Sequence, residues 1–224
     1  MVEYDKLIAR QLERAAITSI SGFAELMKEG LVEADKMREF AGDIYKECGQ
    51  LIALIDDIMK LSRLDEAAEN EVAPESVDLY DLSQDILESL QPAAAKRSVS
   101  LHLEGEKQTI LGVWRILHEM VYNLCDNAIK YNKDGGSVTV QVTGEAERVT
   151  LAVKDTGIGI PKGQQDRVFE RFYRVDKSRR VGGTGLGLSI VKHGAQYHNA
   201  LISLESEPDV GTTIAIVFPR NMRP

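Results

Sequence analysis

Aromatic residues are scarce, 6% of the 224 in the chain with a single tryptophan among them, and Leu, Ile, Val and Ala supply most of the apolar content. That composition points to helices packed on one another or on a sheet. Only two cysteines occur, Cys48 and Cys125, both in stretches of helical periodicity; this excludes a disulfide scaffold and argues against a thiolate metal site. A reducing, cytoplasmic setting is the expectation. No window approaches the ~18 consecutive apolar residues of a membrane span, and charges run through residues 1–20, unlike a secretory leader. The histidines are His102, His118, His193 and His198. The last two stand five apart, which does not stack imidazoles on one helical face as a spacing of four would, so no histidine metal site is expected. Positive charge is in deficit, 27 Lys and Arg against 35 Asp and Glu. The net −8 disfavours nonspecific attraction to nucleic acid or anionic lipid and leaves room for a local basic site. What is plentiful is core-forming residues: 43% hydrophobic over this length fits one or two domains and excludes disorder throughout.

The chain divides into a helical half and a mixed half. Ile20, Phe23, Ala24 and Met27 fall at i, i+3, i+4 and i+7, and Gly30 follows, which predicts an amphipathic helix over about residues 3–29 with a C-terminal stop. Ala41, Ile44, Cys48, Leu51, Ile55 and Ile58 alternate spacings of three and four, a heptad seam across residues 36–64. Two long helices with a short connection make an antiparallel hairpin. A hairpin cannot cover such a seam alone, so pairing with a second copy into a four-helix bundle is expected, the alternative being packing on the rest of the chain. Residues 65–76 are acidic, contain a proline and have no period, and read as a linker. Beyond it the pattern predicts helices at about 79–97, 113–131 and 185–198, and strands at 99–104, 137–143, 147–154, 200–206 and 212–218. Strands in hairpins beside several helices give an α+β layered domain.

Four constellations in the second half carry chemistry. Asn123, Asn127 and Lys130 or Tyr131 share a helical face; carboxamide oxygens suit a hard cation such as Mg²⁺, though an asparagine pair on a helix is usually a solvated face. Asp155, Gly157 and Gly159 follow an apolar strand. A carboxylate there can accept from an exocyclic amine, and the glycines let backbone approach a flat ring; alone, the segment is an ordinary tight turn. Gly183, Gly185 and Gly187 open a helix whose first N–H groups favour phosphate. A dinucleotide fingerprint is excluded because a polar loop, not a strand of a parallel βαβ unit, precedes them. Last, aromatics and arginines at residues 169–175 precede the basic, glycine-rich stretch 176–183, which has the composition of a mobile lid.

The order of these segments resembles the N, G1, F and G2 boxes of the sensor histidine kinases of two-component systems. The resemblance covers nearly the whole chain. It implies a helical hairpin forming a dimeric four-helix bundle (residues 1–66), a linker (67–76), and an α/β sandwich ATP-binding domain (77–224) of the type shared with chaperones and topoisomerases. It implies ATP and Mg²⁺ as cofactors, with Asn123 on the metal, Asn127 and Lys130 near the phosphates, and Tyr131 beside the nucleotide. Asp155 would take the adenine amine, with Gly157, Gly159 and Ile160 against the base. Phe172, Arg174, Lys177, Gly183, Thr184, Gly185, Leu186, Gly187 and Leu188 would border the nucleotide, residues 174–182 forming the lid. Glu119, one turn before Asn123, stands where related ATPases keep a water-activating base. The implied partners are a second copy and a response-regulator receiver domain, and the implied parent is membrane-anchored with this part in the cytoplasm.

One departure is pronounced. The family's first helix carries His-Glu-Leu-Arg-Thr-Pro before a segment that residues 17–26 fit well, yet reading back without a gap puts Gln11 at the phosphoacceptor, Leu12 at the adjacent acid, and Ala15 and Ala16 at Thr-Pro. A glutamine amide lacks the nucleophilicity and proton inventory of imidazole. The substituted stretch keeps good helix formers, so the helix is expected without the chemistry. The chain is therefore expected to bind ATP without phosphorylating itself on histidine.

Overall fold

A computed structural model describes residues 3–69, 73–175 and 183–220. They form two compact units, one of the residues up to Ser62 with Gly183 and Thr184, the other of the remainder from Arg63 on.

The first unit is built on a hairpin of α1 (Glu3–Lys28) and α2 (Met37–Glu69), the last residues of α2 counting with the second unit. The stop at Gly30 forms as its residue type dictates. Its φ is +69, its N–H bonds the Met27 carbonyl, and the Leu31 N–H reaches back to Leu26, which together close the last turn of α1. Phe23 and Phe40 meet edge to face across the hairpin at 5.4 Å. The expected seam on α2 is not sealed within one chain. Ile44, Cys48, Leu51 and Ile58 are half-buried and Leu54 is buried, whereas Ala41 and Ile55 are exposed, with Tyr45, Ile52 and Met59 exposed beside them.

The expected linker is shorter than its composition implied. Residues 65–69 continue α2, because Glu66, Ala67, Ala68 and Glu69 are good helix formers and outweigh the single weak one, Asp65. Residues 70–72 lie outside the described part, and Glu75 and Ser76 already belong to a strand.

The second unit contains β1 (Glu75–Asp78), α3 (Leu79–Ala95), β2 (Ser100–Gly105), β3 (Thr109–Gly112), α4 (Trp114–Lys130), β4 (Ser137–Gly144), β5 (Arg148–Asp155), α5 (Gly187–Tyr197), β6 (Leu201–Glu207) and β7 (Gly211–Pro219). Five strands form one sheet in the order β2-β4-β5-β7-β6, and β1 pairs antiparallel with β3 apart from it. The short β1 and β3 were not expected. Nor was the parallel pairing of β2 with β4; every other pair in the large sheet is antiparallel. Alternation fixes which face is dry: Val138, Val140, Val142, Val149, Leu151, Val153, Ile214, Ile216 and Phe218 are buried. Over that face α3 packs on β2, α4 on β4 and β5, and α5 on β6. Leu79, Ile86, Leu117, Met120, Ile129 and Ile190 fill the space between the layers. Each such side chain contributes about 1.5–3 kcal/mol by leaving water. Asp78 caps α3 by accepting from the N–H groups of Tyr80 and Asp81. Cys125 is buried in this core, and burial pushes its thiol up to about 12, so it packs as an inert apolar group.

Candidate functional site

The helical period of α4 puts its buried residues against the sheet and leaves Glu119, Asn123 and Asn127 one turn apart on a half-buried flank. Asn123 donates from Nδ2 to the Glu119 carbonyl at 2.7 Å, which turns Oδ1 outward. Gly187, the first residue of α5, lies in front of that oxygen: a Cβ there would stand 2.9 Å from Asn123 Oδ1 and 3.3 Å from Asn127 Nδ2. The N-terminus of α5 has no side-chain cap. Its first N–H groups and the positive end of the helix dipole therefore share one place with two carboxamides, which suits an anion together with a hard cation.

The Asp155 turn is held beside this flank. Asp155 Oδ1 accepts the N–H of Gly157 at 2.8 Å and that of Thr212 at 3.2 Å, and Oδ2 has no donor among the described residues. Burial pushes the carboxyl above the usual carboxylate range, and the two N–H groups pull it back. Tyr131 closes α4, and its carbonyl accepts the Ile158 N–H at 3.1 Å. A Cβ on Gly157 would lie 2.3 Å from that carbonyl oxygen, and one on Gly159, whose φ is +65, would lie 2.0 Å from the Glu207 carbonyl. The turn is thus squeezed between the end of α4 and the β6–β7 hairpin, where only glycine fits.

The Lys130 ammonium lies 2.6 Å from Asp126, one turn back on α4, and its carbonyl accepts from Arg97. Phe172 takes a left-handed φ of 63 and donates its N–H to the Gly185 carbonyl at 2.9 Å. Arg171 Nη2 lies 2.7 Å from His193 Nε2. Arginine only donates, so Nε2 accepts and Nδ1 carries the proton toward the Ser189 carbonyl at 2.9 Å. Arg174, Thr184 and Leu188 are half-buried, Leu186 is buried, and Gly183 is exposed just ahead of α5. Lys177 lies outside the described residues, as do Arg179 and Arg180. No cluster of three His, Cys, Asp or Glu suited to a metal occurs among the described residues.

Sequence reasoning overlooked four residues around the site. Ser206 and Gln165 bond Ile160, Thr212 bonds Asp155, and His198 bonds Val113 ahead of α4. The first three are ordinary polar residues whose meaning arises only when the strand register sets Thr212 opposite both Asp155 and Ser206.

Residues 112–222 match the family described as histidine kinase-, DNA gyrase B- and HSP90-like ATPase, and residues 14–67 match the His Kinase A (phospho-acceptor) domain. The second match begins beyond Gln11. The sensor-like histidine kinase SenX3 of Mycolicibacterium smegmatis is 35% identical over 209 residues, 92% of this chain and 54% of SenX3. Sensor protein kinase WalK of Staphylococcus haemolyticus is 31% identical over 220 residues, 92% of this chain and 34% of WalK. The chain therefore spans about half the length of SenX3 and a third of WalK. Among solved structures, a chain of the mycobacterial sensor histidine kinase MprB is 30% identical with a TM-score of 0.60, the match covering 66% of this chain and all of that solved chain. The kinase ThkA in complex with the response regulator TrrA, 19% identical with a TM-score of 0.74 over 97% of this chain and 61% of that one, shares the fold.

Proposed function

The chain belongs to the sensor histidine kinases of two-component systems, and we propose from this that its mixed unit binds Mg·ATP between the Asn123 flank, the Asp155 turn and the start of α5. The observation that carries the reading is the meeting of Asn123 and Asn127 with the uncapped N-terminus at Gly187. Asn123 Oδ1 would hold a Mg²⁺, which when bound would supply neutralisation of phosphate charge. The N–H groups of α5 take phosphate oxygens, with Asn127 beside them. Asp155 Oδ2 accepts from the adenine amine while Oδ1 stays tied to the backbone.

In the parent reaction the γ-phosphoryl passes in line to a histidine nitrogen and then to an aspartate of a response regulator. Gln11 stands on α1 where that histidine would be, so this chain binds nucleotide without accepting the phosphoryl group. The exposed Tyr45, Ile52, Ile55 and Met59 on α2 favour burial of that stripe by a second copy. Among the described residues no helix is long and apolar enough to cross a membrane, which accords with a cytoplasmic portion of an anchored parent. Glu119 beside Asn123 favours a second reading, ATP hydrolysis as in the related chaperone and topoisomerase ATPases. ATP turnover without protein phosphorylation would identify it.

Calorimetry with ATP and GTP tests the site. ATP should bind more tightly, and Asp155→Asn, which can present a donor to the amine, should weaken ATP by at least about tenfold. Equal affinity for the two nucleotides would remove Asp155 from base recognition.

A further inference from the structure

The turn that carries Gly157 and Gly159 is anchored by a continuous chain of side-chain hydrogen bonds that ends on Asp155. Gln165 donates from Nε2 to two carbonyls, that of Ile160 at 2.8 Å and that of Ser206 at 2.8 Å. The Ile160 N–H donates to Ser206 Oγ at 2.8 Å. Ser206 Oγ lies 3.0 Å from the Gly211 carbonyl and 2.8 Å from Thr212 Oγ1. One proton and two lone pairs are then fully used: Ser206 accepts from Ile160 and from the Thr212 hydroxyl, and donates to Gly211. Thr212, itself buried, donates its N–H to Asp155 Oδ1.

We infer that Gln165 and Ser206 are positioning residues for base selectivity. They fix the Ile160 end of the turn to the β6–β7 hairpin, and through Thr212 they hold the Asp155 carboxylate so that Oδ2 faces the base. The inference rests on the assignment of Asp155 to the adenine amine. Two features separate it from general packing. Both protons of the Gln165 amide are consumed at the two ends of the anchored segment, so the carboxamide acts as a brace rather than as a solvated side chain. Ser206 also joins the turn to the same Thr212 that orients Asp155, so loosening one loosens the other.

The test uses the full chain with Mg²⁺ and, in separate titrations, ADP and GDP. Gln165→Ala and Ser206→Ala should lower ADP affinity about tenfold while leaving GDP affinity little changed, so the ADP-to-GDP preference collapses. Ser206→Thr, which keeps the hydroxyl, should restore it. Gln165→Glu, which sets acceptor oxygens against two carbonyls, should behave at least as badly as Gln165→Ala. Should the alanine variants weaken both nucleotides equally and melt at lower temperature, the role is structural and the inference fails. Unchanged ADP preference in either alanine variant also overturns it. A second measurement needs no variant: the Ile160 amide should be protected from hydrogen exchange in the unaltered protein and protected further by ADP, and fast exchange would count against the brace. If the unaltered chain does not prefer ADP, the Asp155 assignment falls and takes this inference with it, whereas preference with indifferent variants overturns the inference alone.

Discussion

Phe172 donates its N–H to the carbonyl of Gly185, and both residues hold a left-handed backbone, with φ of 63 and 75. The bond ties the element before the basic stretch to the glycine that leads into α5. For phenylalanine that conformation costs on the order of 1–3 kcal/mol, which the surrounding contacts offset. In Gly185→Ala the new Cβ would stand 2.8 Å from Phe172 C and 2.9 Å from the Tyr173 carbonyl oxygen, both backbone atoms with little room to give. The variant should retain its far-ultraviolet circular dichroism and bind ATP at least about tenfold more weakly in calorimetry. Unaltered affinity would mean that this tie does not shape the nucleotide site.

Placing charge on α2 tests the assembly. Leu51 is half-buried and Ile55 exposed in a single chain, and a two-fold partner would bury both. Leu51→Glu combined with Ile55→Glu should give monomers in multi-angle light scattering where the unaltered chain gives dimers, since each unpaired carboxylate in such a seam costs several kcal/mol (about 3 or more). A well-folded monomer for the unaltered chain would eliminate the bundle.

His198 makes stability depend on pH. Its Nε2 accepts the Val113 N–H at 3.1 Å and its Nδ1 lies 2.8 Å from the Gly194 carbonyl, so the neutral ring joins the start of α4 to the end of α5. Burial pushes its pKa below the ordinary histidine value, with the Gly194 carbonyl pulling the other way, and the rings of Tyr197 and Phe218 flank it. The native state thus binds this proton less readily than the unfolded chain. Stability from His198 is complete above about pH 6.5 and declines as pH falls below it, until the native ring also protonates. Urea unfolding followed by the single tryptophan, Trp114, next to Val113, should show that slope. His198→Gln should flatten it and cost about 1–3 kcal/mol at neutral pH. An unchanged slope would show that His198 is not its source.

With γ-labelled ATP the unaltered chain should acquire no acid-labile label, since transfer needs a nucleophile about 3–3.5 Å from the phosphorus, aligned for attack. Substituting His-Glu-Leu-Arg-Thr-Pro for residues 11–16 should restore labelling at position 11. Label on His102, His118, His193 or His198 in the unaltered chain would contradict the account of Gln11.

Among the described residues the five α-helices were legible because each repeats its apolar residues over several turns, and the long strands because they alternate. Four-residue β1 and β3 offer too short a window for a period, and their pairing joins Val77 to Ile110, distant positions that no local pattern connects. Acidity hid the helical character of residues 65–69. At the site, Asn123, Asp155 and Gly187 announced themselves through unusual residue types in sequence. Gln165 and Ser206 did not, because a glutamine in a loop and a serine on a strand become informative only once the fold brings Ile160 between them.

The parallel pairing of β2 with β4 has a kinetic consequence. β4 with β5, and β6 with β7, are antiparallel neighbours joined by short turns, and such hairpins close in about 1–10 μs. β2 can reach β4 only after the chain between them has run through β3 and laid down α4. The β2 amides that face β4 are the even-numbered ones, as the Ser100 N–H to the Gly136 carbonyl and the Glu106 N–H to the Val142 carbonyl show, so pulse-labelled exchange during refolding should find the His102 and Glu104 amides protected after those of β5 and β7. The crossover between them is the helix bearing Asn123 and Asn127, so docking of that half-site on the sheet should follow closure of the β4–β5 hairpin that carries Asp155.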